Sequence, residues 1–463
     1  AWWFVVPDSF AYGSEILAAY QVGRIYNGGA CAIGWSFSSD DGATWTSGLL
    51  PSITKWTTAI GAGSWDRVTD PAIAYDARHG LWLISTLSLT ESGGVQGKSV
   101  LTSSSTDGTH WAAPVTTDAS SLNPDKNWIV CDNTSTSPYY GNCYTEWDDN
   151  GAGNKLYMST SSDGGRTWSA KATNGAGVIG GQPVVRPDGI VIVPTDNAYE
   201  TSVGAFSSSN GGLTWSNVTT IARINHHRVA GSLREGPLPT AEIDAAGTVY
   251  VAWSDCRFRS RCVTNDIVFA KSTNATGTRW SSVTRVPIDA TGSGIDHFIP
   301  GLGVDPRSSG ATARLGLTYY FYPSGSTQLS VGFVSSTTGG ASWTTPQTIV
   351  EGMSSAWAAN SSQGRMVGDY ISTSFDANGV AHGVFGAAYA PTSGTSCTTS
   401  ALDNCRAPIQ TFALAPGVSG GAAGAALAAA TGPVLFGAGG GAGLDRVASL
   451  WKLVDNQSLE HRH

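Results

Sequence analysis

Glu235, Asp70, Asp148 and Asp369 are the carboxyl groups of this sequence placed to act in pairs. Hydrolysis of a glycosidic bond needs two such groups at a set separation, one of them kept protonated by burial or by its neighbour's charge. A second chemistry is available to His297 in the run GIDHFIP and to His226 and His227 just before Glu235. With an arginine and a tyrosine nearby, a histidine can take the proton next to a uronate carboxylate and start an elimination. Arg257, Arg259 and Arg261 lie in the short loop between Cys256 and Cys262, where a disulfide would hold a guanidinium still for bidentate recognition of a carboxylate. The run GRMVGDY at 364–370 gathers Arg365, Asp369 and Tyr370 at one strand entrance. The acidic run 146–149 could bind calcium if its oxygens converge, and no other cofactor is called for.

Those side chains need a scaffold, and the sequence repeats one. SSDGGRTW at 161–168 reads as a tight turn between strands: Asp163 can bond its own turn, the glycines supply positive φ, and Trp168 fills the adjacent apolar space. SSDDGATW ending at Trp45 and SSNGGLTW ending at Trp215 are clear copies; SSTDGTHW, TNATGTRW and STTGGASW, ending at Trp111, Trp280 and Trp343, are worn ones. A supersecondary unit repeated at this spacing points to an all-β propeller of four-stranded blades. Alternating runs give each unit its strands, for example 71–76, 81–87 and 100–105 in the second. After the sixth turn come three strands, 369–375, 380–387 and 409–413, with no such turn. The N-terminal run AWWFVVP is expected to supply the missing fourth and close a ring of seven blades, with six as the alternative. The propeller is expected to fill 1–413, leaving 414–463 as an Ala/Gly tail ending in a tag remnant.

Composition bounds the partners. Net charge is −8, only 13% of residues are charged, and no basic run occurs, which argues against nucleic acid and anionic membranes. Seven cysteines pair readily as 131 with 143, 256 with 262 and 397 with 405, leaving Cys31 over. Short loops closed this way belong to oxidising compartments, so a secreted, mature chain is expected.

The repeated turns resemble the Asp boxes of sialidases and their relatives. In that family the boxes staple blades together on the face opposite the active site. The resemblance therefore directs attention to residues just before first strands and just after second strands, which include Asp70, Trp128, Gln182, Glu235, His297, Arg24, Asp148, Asp196, Arg257 and Tyr322. It also implies roles. Glu235 is similar in placement to the glutamate that activates the family's nucleophilic tyrosine, Tyr370 to that tyrosine, and Arg24 and Arg257 to arginines that hold the substrate carboxylate. Ala30 and Ala32 stand where the family's acidic proton donor is expected, and Gln328 stands near the place of its third arginine.

The expectation is a secreted carbohydrate-active enzyme, a glycoside hydrolase of sialidase-like architecture acting on a terminal or acidic sugar. Catalysis falls to Glu235, Tyr370, His297 and Asp70, and substrate binding to Arg24, Arg257, Arg365, Trp128 and Gln182. A lyase on uronate-containing polysaccharide using histidine, tyrosine and arginine is one alternative, and a glycan-binding propeller without catalysis is the other.

Overall fold

The computed structural model describes residues 2–323, 325–390, 406–407, 409–414 and 434–435. The fold is all-β: among the described residues helix is confined to three-residue 3-10 turns, and no helix is long and apolar enough to cross a membrane.

Strands pair antiparallel with their neighbours in sequence. The first unit is Trp2–Tyr12, Glu15–Arg24, Ala30–Ser38 and Thr46–Leu49. One residue pair, Ala30 with Val68, joins it to the second unit, Arg67–Asp76, Leu81–Thr90, Gln96–Ser105 and Val115–Asp118. Pro124–Cys131, Cys143–Asp149 and Lys155–Ser161 form the third. The fourth has a divided first strand, Val178–Gly181 and Val184–Val185, followed by Val191–Asn197, Ser202–Ser208 and Thr219–Arg223. Thr240–Ile243, Val249–Asp255, Asp266–Lys271 and Thr284–Arg285 make the fifth. Asp296–Val304, Leu315–Tyr322, Gln328–Ser336 and Gln347–Ser354 make the sixth. A hairpin, Ala359–Ser361 with Gly364–Met366, then leads to the last unit, Ser372–Phe375, Ala381–Gly386, Ile409–Leu414 and Val434–Leu435.

Interior strands such as Leu81–Thr90 are buried almost throughout, because sheets cover both of their faces. First strands touch in a circuit: each contacts the first strand of the next unit, and Ser372–Phe375 returns to Trp2–Tyr12. One apolar cluster seals that return, with Val5 and Val6 against Phe298, Tyr320 and Phe385.

The N-terminal strand is a correction to the expectation. Instead of serving as fourth strand of the last unit, Trp2–Tyr12 is the first strand of its own unit, and Val434–Leu435 takes the fourth position beside Ile409–Leu414. Pro7 does not detach the strand, because a bulge between Val5 and Asp8 absorbs it; the strand's only pairing toward the last unit among the described residues is that of Trp2 and Trp3, parallel to Arg406 and Ala407. Apart from Leu414 and Val434–Leu435, the expected tail lies outside the described residues.

The same bulge recurs in the first strands of five units. Register shifts occur at Val5/Asp8, Thr69/Ala72, opposite Glu146/Asp148, at Ile179/Gly181 and at Phe298/Gly301. Each carries a left-handed residue: Val6, Asp70, Lys126, Gly180 and Ile299, with φ of 58°, 48°, 51°, 64° and 47°. Four of the five are not glycine, at a cost on the order of 1–3 kcal/mol each.

Turns at one end of the sheets include the six serine-tryptophan repeats. In the first, Ser38 donates to Asp40 (2.8 Å), the Gly42 amide to Ser38 (2.9 Å), and the Thr44 amide to Asp40 (2.8 Å). Asp163 and Asn210 repeat this pattern, and even Thr338 receives the Ser342 amide at 2.8 Å. First-to-second strand turns share this end, where the Ala377 amide donates to the Gly13 carbonyl (2.9 Å) and Asn378 to Asp41 (3.0 Å). At the other end, second-to-third turns meet the entrances of first strands; there Arg67 donates to Asn27 (2.6 Å) and the Cys256 amide to the Asn225 carbonyl (2.7 Å).

Disulfides join Cys131 to Cys143, directly opposite each other across two strands, and Cys256 to Cys262. Cys397 and Cys405 lie outside the described residues.

Candidate functional site

Bulged first strands push Asp70 and Lys126 into a cleft of about 250 Å³ at the end opposite the serine-tryptophan turns. Arg24, Asp125, Arg234 and Asp369 line it as well, with Asn27, Asn123 and Asn150 around the edge. Asp369 accepts from Lys126 and, at 2.6 Å, from Arg234, so three distant parts of the chain meet on one carboxylate. Burial would raise that carboxyl, but Arg234 and Lys126 hold it well below the usual range. Burial lowers Lys126, and Asp369, Asp70 and Asp125 together outweigh it and leave it raised. Arg24 is pulled down to about 10, by burial first and by Arg234 next. Its Nη1 donates to the carbonyls of Ile25 (2.7 Å) and Gly29 (2.9 Å), which fixes the guanidinium at the cleft wall.

Two carboxyls in the cleft are not ion-paired in this way. Asp70 accepts from Thr69 (2.8 Å) and Gln21 (3.4 Å), both neutral. Asp125 is half-buried, accepts from Asn150 (2.9 Å), and is raised above the usual carboxylate range by burial and then by Asp70. A carboxyl raised in this way beside a second carboxylate, with cations nearby, is the kind of arrangement that donates to a leaving oxygen and stabilises the charge that follows.

Trp128, Gln182 and Tyr370 form the adjoining wall, which shares Lys126 and Asp369 with the cleft. Tyr370 stands edge-on to Trp128, ring centroids 5.0 Å apart, and its hydroxyl donates to the Pro71 carbonyl (3.1 Å). Burial, with Asp70 next, raises it well above the ordinary phenol value. Gln182 accepts from the Ala241 amide at 2.9 Å and so braces two units.

Glu235 belongs to a second group. Its buried carboxylate meets His226 Nε2 at 2.7 Å and Ser254 at 3.4 Å. Burial lowers His226, but Glu235 more than compensates and leaves it raised. Asp296, 3.5 Å from His227, is pushed up to about 6, mainly by burial. The Tyr322 hydroxyl, raised to about 12 by burial and then by Asp296 and Glu235, has no hydrogen-bond partner among the described residues.

His297 is placed elsewhere. It is buried, lowered to about 4 chiefly by burial, and packs edge-on against Tyr319. Asp266, Asp289 and His297 offer ligand atoms within 4.8 Å of one another, the one such group among the described residues. Arg259 and Arg285 occupy both of its carboxylates, so the donor set suits an ion-pair network better than a metal. Arg257 is also engaged, its Nε and Nη2 on Asp255 at 2.9 and 2.7 Å. Arg365 braces the cleft, its carbonyl accepting from the Arg234 amide and its Nη1 donating to Ala358 (3.2 Å).

The run 146–149 does not converge. Asp149 accepts the amides of Leu122, Asn123 and Gly151, while Glu146 and Asp148 are buried, with oxygens that have no partner among the described residues.

Asp125 and Lys126 were not legible in the sequence, although they stand three and two residues before Trp128 at a first-strand entrance, where the bulge opposite Glu146/Asp148 turns them into the cleft.

Residues 54–238 match the family model described as a BNR repeat-like domain. No curated protein sequence matches significantly. Among solved structures, an ulvan lyase described as founding a new polysaccharide lyase family is similar over 88% of this chain and 91% of its own, at 10% identity and a TM-score of 0.50. That lyase is also known bound to a glucuronate–sulfated rhamnose unit. A Dyadobacter fermentans protein of unknown function matches 73% of this chain and 95% of its own (15% identity, TM-score 0.47). A Hadza microbial sialidase matches 82% and 63% (13% identity, TM-score 0.43). At these identities the likeness is one of fold.

Proposed function

We propose that the sheets are the blades of a seven-bladed propeller and that the protein is a secreted glycoside hydrolase of sialidase-like architecture, acting on a terminal or acidic sugar. The circuit of first strands supports the blade count, and two disulfides support an extracellular setting. The observation that carries the function is that one cleft holds both Asp70 and Asp125, the latter raised above the usual carboxylate range by burial and then by Asp70. Asp125 gives its proton to the glycosidic oxygen, Asp70 faces the charge that develops at the anomeric carbon, and water supplies the new hydroxyl. Arg24, Lys126 and Arg234 supply the positive field for an acidic substituent. Trp128, Tyr370 and Gln182 form the wall against which the ring lies.

A β-elimination at His226, Glu235 and Tyr322 is the second reading, supported by the unpartnered Tyr322 hydroxyl. One assay separates the two. Sialosides, uronate polysaccharides and aryl glycosides are incubated with the protein while reducing ends and ultraviolet absorbance are followed. Hydrolysis yields reducing ends alone, and Asp125→Asn is expected to lower it about 10²- to 10⁴-fold. An ultraviolet-absorbing product abolished by Tyr322→Phe, with Asp125→Asn active, would replace this reading with the lyase. Binding without turnover of any substrate would leave a glycan-binding propeller.

A further inference from the structure

Large apolar side chains are exposed at few described positions, and four aromatic ones share a topological address. Tyr26, Tyr199, Phe258 and Tyr389 are 39%, 84%, 39% and 39% exposed, and each follows the second strand of its unit: the first, fourth, fifth and last. Single exposed aromatics need no explanation, but Tyr26, Tyr199 and Phe258 are tied to the groups described above. The Tyr26 carbonyl accepts from the amide of Ser362, a cleft residue, at 3.0 Å. Glu200, next to Tyr199, crowds Gly236 so closely that a Cβ there would lie 2.8 Å from its carboxylate, directly after Glu235. Phe258 sits in the disulfide loop whose Cys256 amide donates to Asn225, next to His226.

We infer that Tyr26, Tyr199 and Phe258 are stacking platforms for an extended saccharide chain that crosses the mouth of the cleft. In a ring of seven, the first unit stands across the axis from the fourth and fifth, so the platforms flank the cleft on opposite sides. A chain laid over all three presents an internal residue, not an end, to Asp70 and Asp125. The substrate class is then an acidic polymer rather than a capped oligosaccharide. Aromatic faces suit the apolar C–H faces of pyranose rings, and Tyr adds a hydroxyl for the ring's edge. A single-stranded nucleic acid also stacks on aromatics, but it needs the basic groove that a net charge of −8 without a basic run does not supply.

The inference rests on the glycoside reading of the cleft, and two readouts keep the two apart. Tyr199→Ala and Phe258→Ala, both at exposed positions, are assayed on polygalacturonate, alginate and polysialic acid, and on aryl glycosides of the same sugars. Each is expected to lower kcat/KM on the polymer about tenfold, and the double variant about a hundredfold, with the aryl glycoside unchanged. Equal losses on polymer and aryl glycoside, or no loss in the double variant, overturn the platforms while leaving hydrolysis standing. If the wild type turns over nothing, the hydrolase reading fails, and affinity electrophoresis through the three polymers decides the platforms. Retardation of the wild type but not of the double variant supports them; no retardation of the wild type, or equal retardation of both, overturns them.

Discussion

The two ends of the sheets solve the same problem, closing strands, in opposite ways. At the serine-tryptophan end each repeated turn bonds its own backbone to one of its own side chains. Burial raises the Asp40 and Asp163 carboxyls, but hydrogen bonds from their own turns, those of Thr44 and Thr167 foremost, together outweigh it and hold both below the usual range. At the other end, carboxyls are buried without such donors: Asp148 and Asp196 have no partner for either oxygen among the described residues, and Asp70 and Lys126 adopt left-handed backbone. Buried carboxyls without a partner among the described residues gather at the cleft end, whereas Asp40 and Asp163 are satisfied from their own turns. The difference teaches that the repeated motif uses its polar groups to close its own turn.

That contrast can be broken, most forcefully at Asp369. Asp369→Asn leaves Lys126 and Arg234 buried together without their shared counter-charge and is expected to cost about 3–5 kcal/mol, read by urea unfolding. A loss under 1 kcal/mol on the order of a surface pair would mean that the cluster is not buried as described. A smaller effect is expected at Asp196, raised to about 8 by burial and then by Glu200. Because its folded pKa lies above the unfolded one, its contribution is full below about pH 4 and is lost as pH rises through 8. Asp196→Asn should therefore match the wild type at pH 4 and melt higher at pH 9, on the order of 2 °C. Equal melting temperatures at both pH values would remove Asp196 from the contrast. The smallest effect belongs to the satisfied rim, where Asp163→Ala should cost about 1 kcal/mol and leave turnover untouched. A fall in kcat from that change would show that the two ends are coupled.

Much of the scaffold was legible because each unit's interior strands alternate cleanly and end in turns with a required glycine. Leu81–Thr90 and Leu315–Tyr322 fall within a few residues of their expected positions. The N-terminal strand misled because Pro7 resembles a strand end, and a bulge that re-registers the chain leaves no mark in composition. Arg24, Asp70 and Asp369 could be picked by their place before first or after second strands. That Lys126 answers Asp369 could not, since the partners are 243 residues apart. His297 misled in another way: it reads as a strand entrance, yet its strand begins one residue earlier, at Asp296, which turns the imidazole into the packed interior.

The meeting of Lys126, Arg234 and Asp369 also sets an order of events. Strand pairing within a unit is local and fast, but this cluster needs the third unit, the approach to the fifth and the entrance of the last, so it forms only once those distant parts have come together. During refolding, recovery of turnover should lag recovery of the far-ultraviolet signal. The cleft of the proposed activity is then a built-in reporter of long-range assembly, silent in any chain that has folded its units but not joined them.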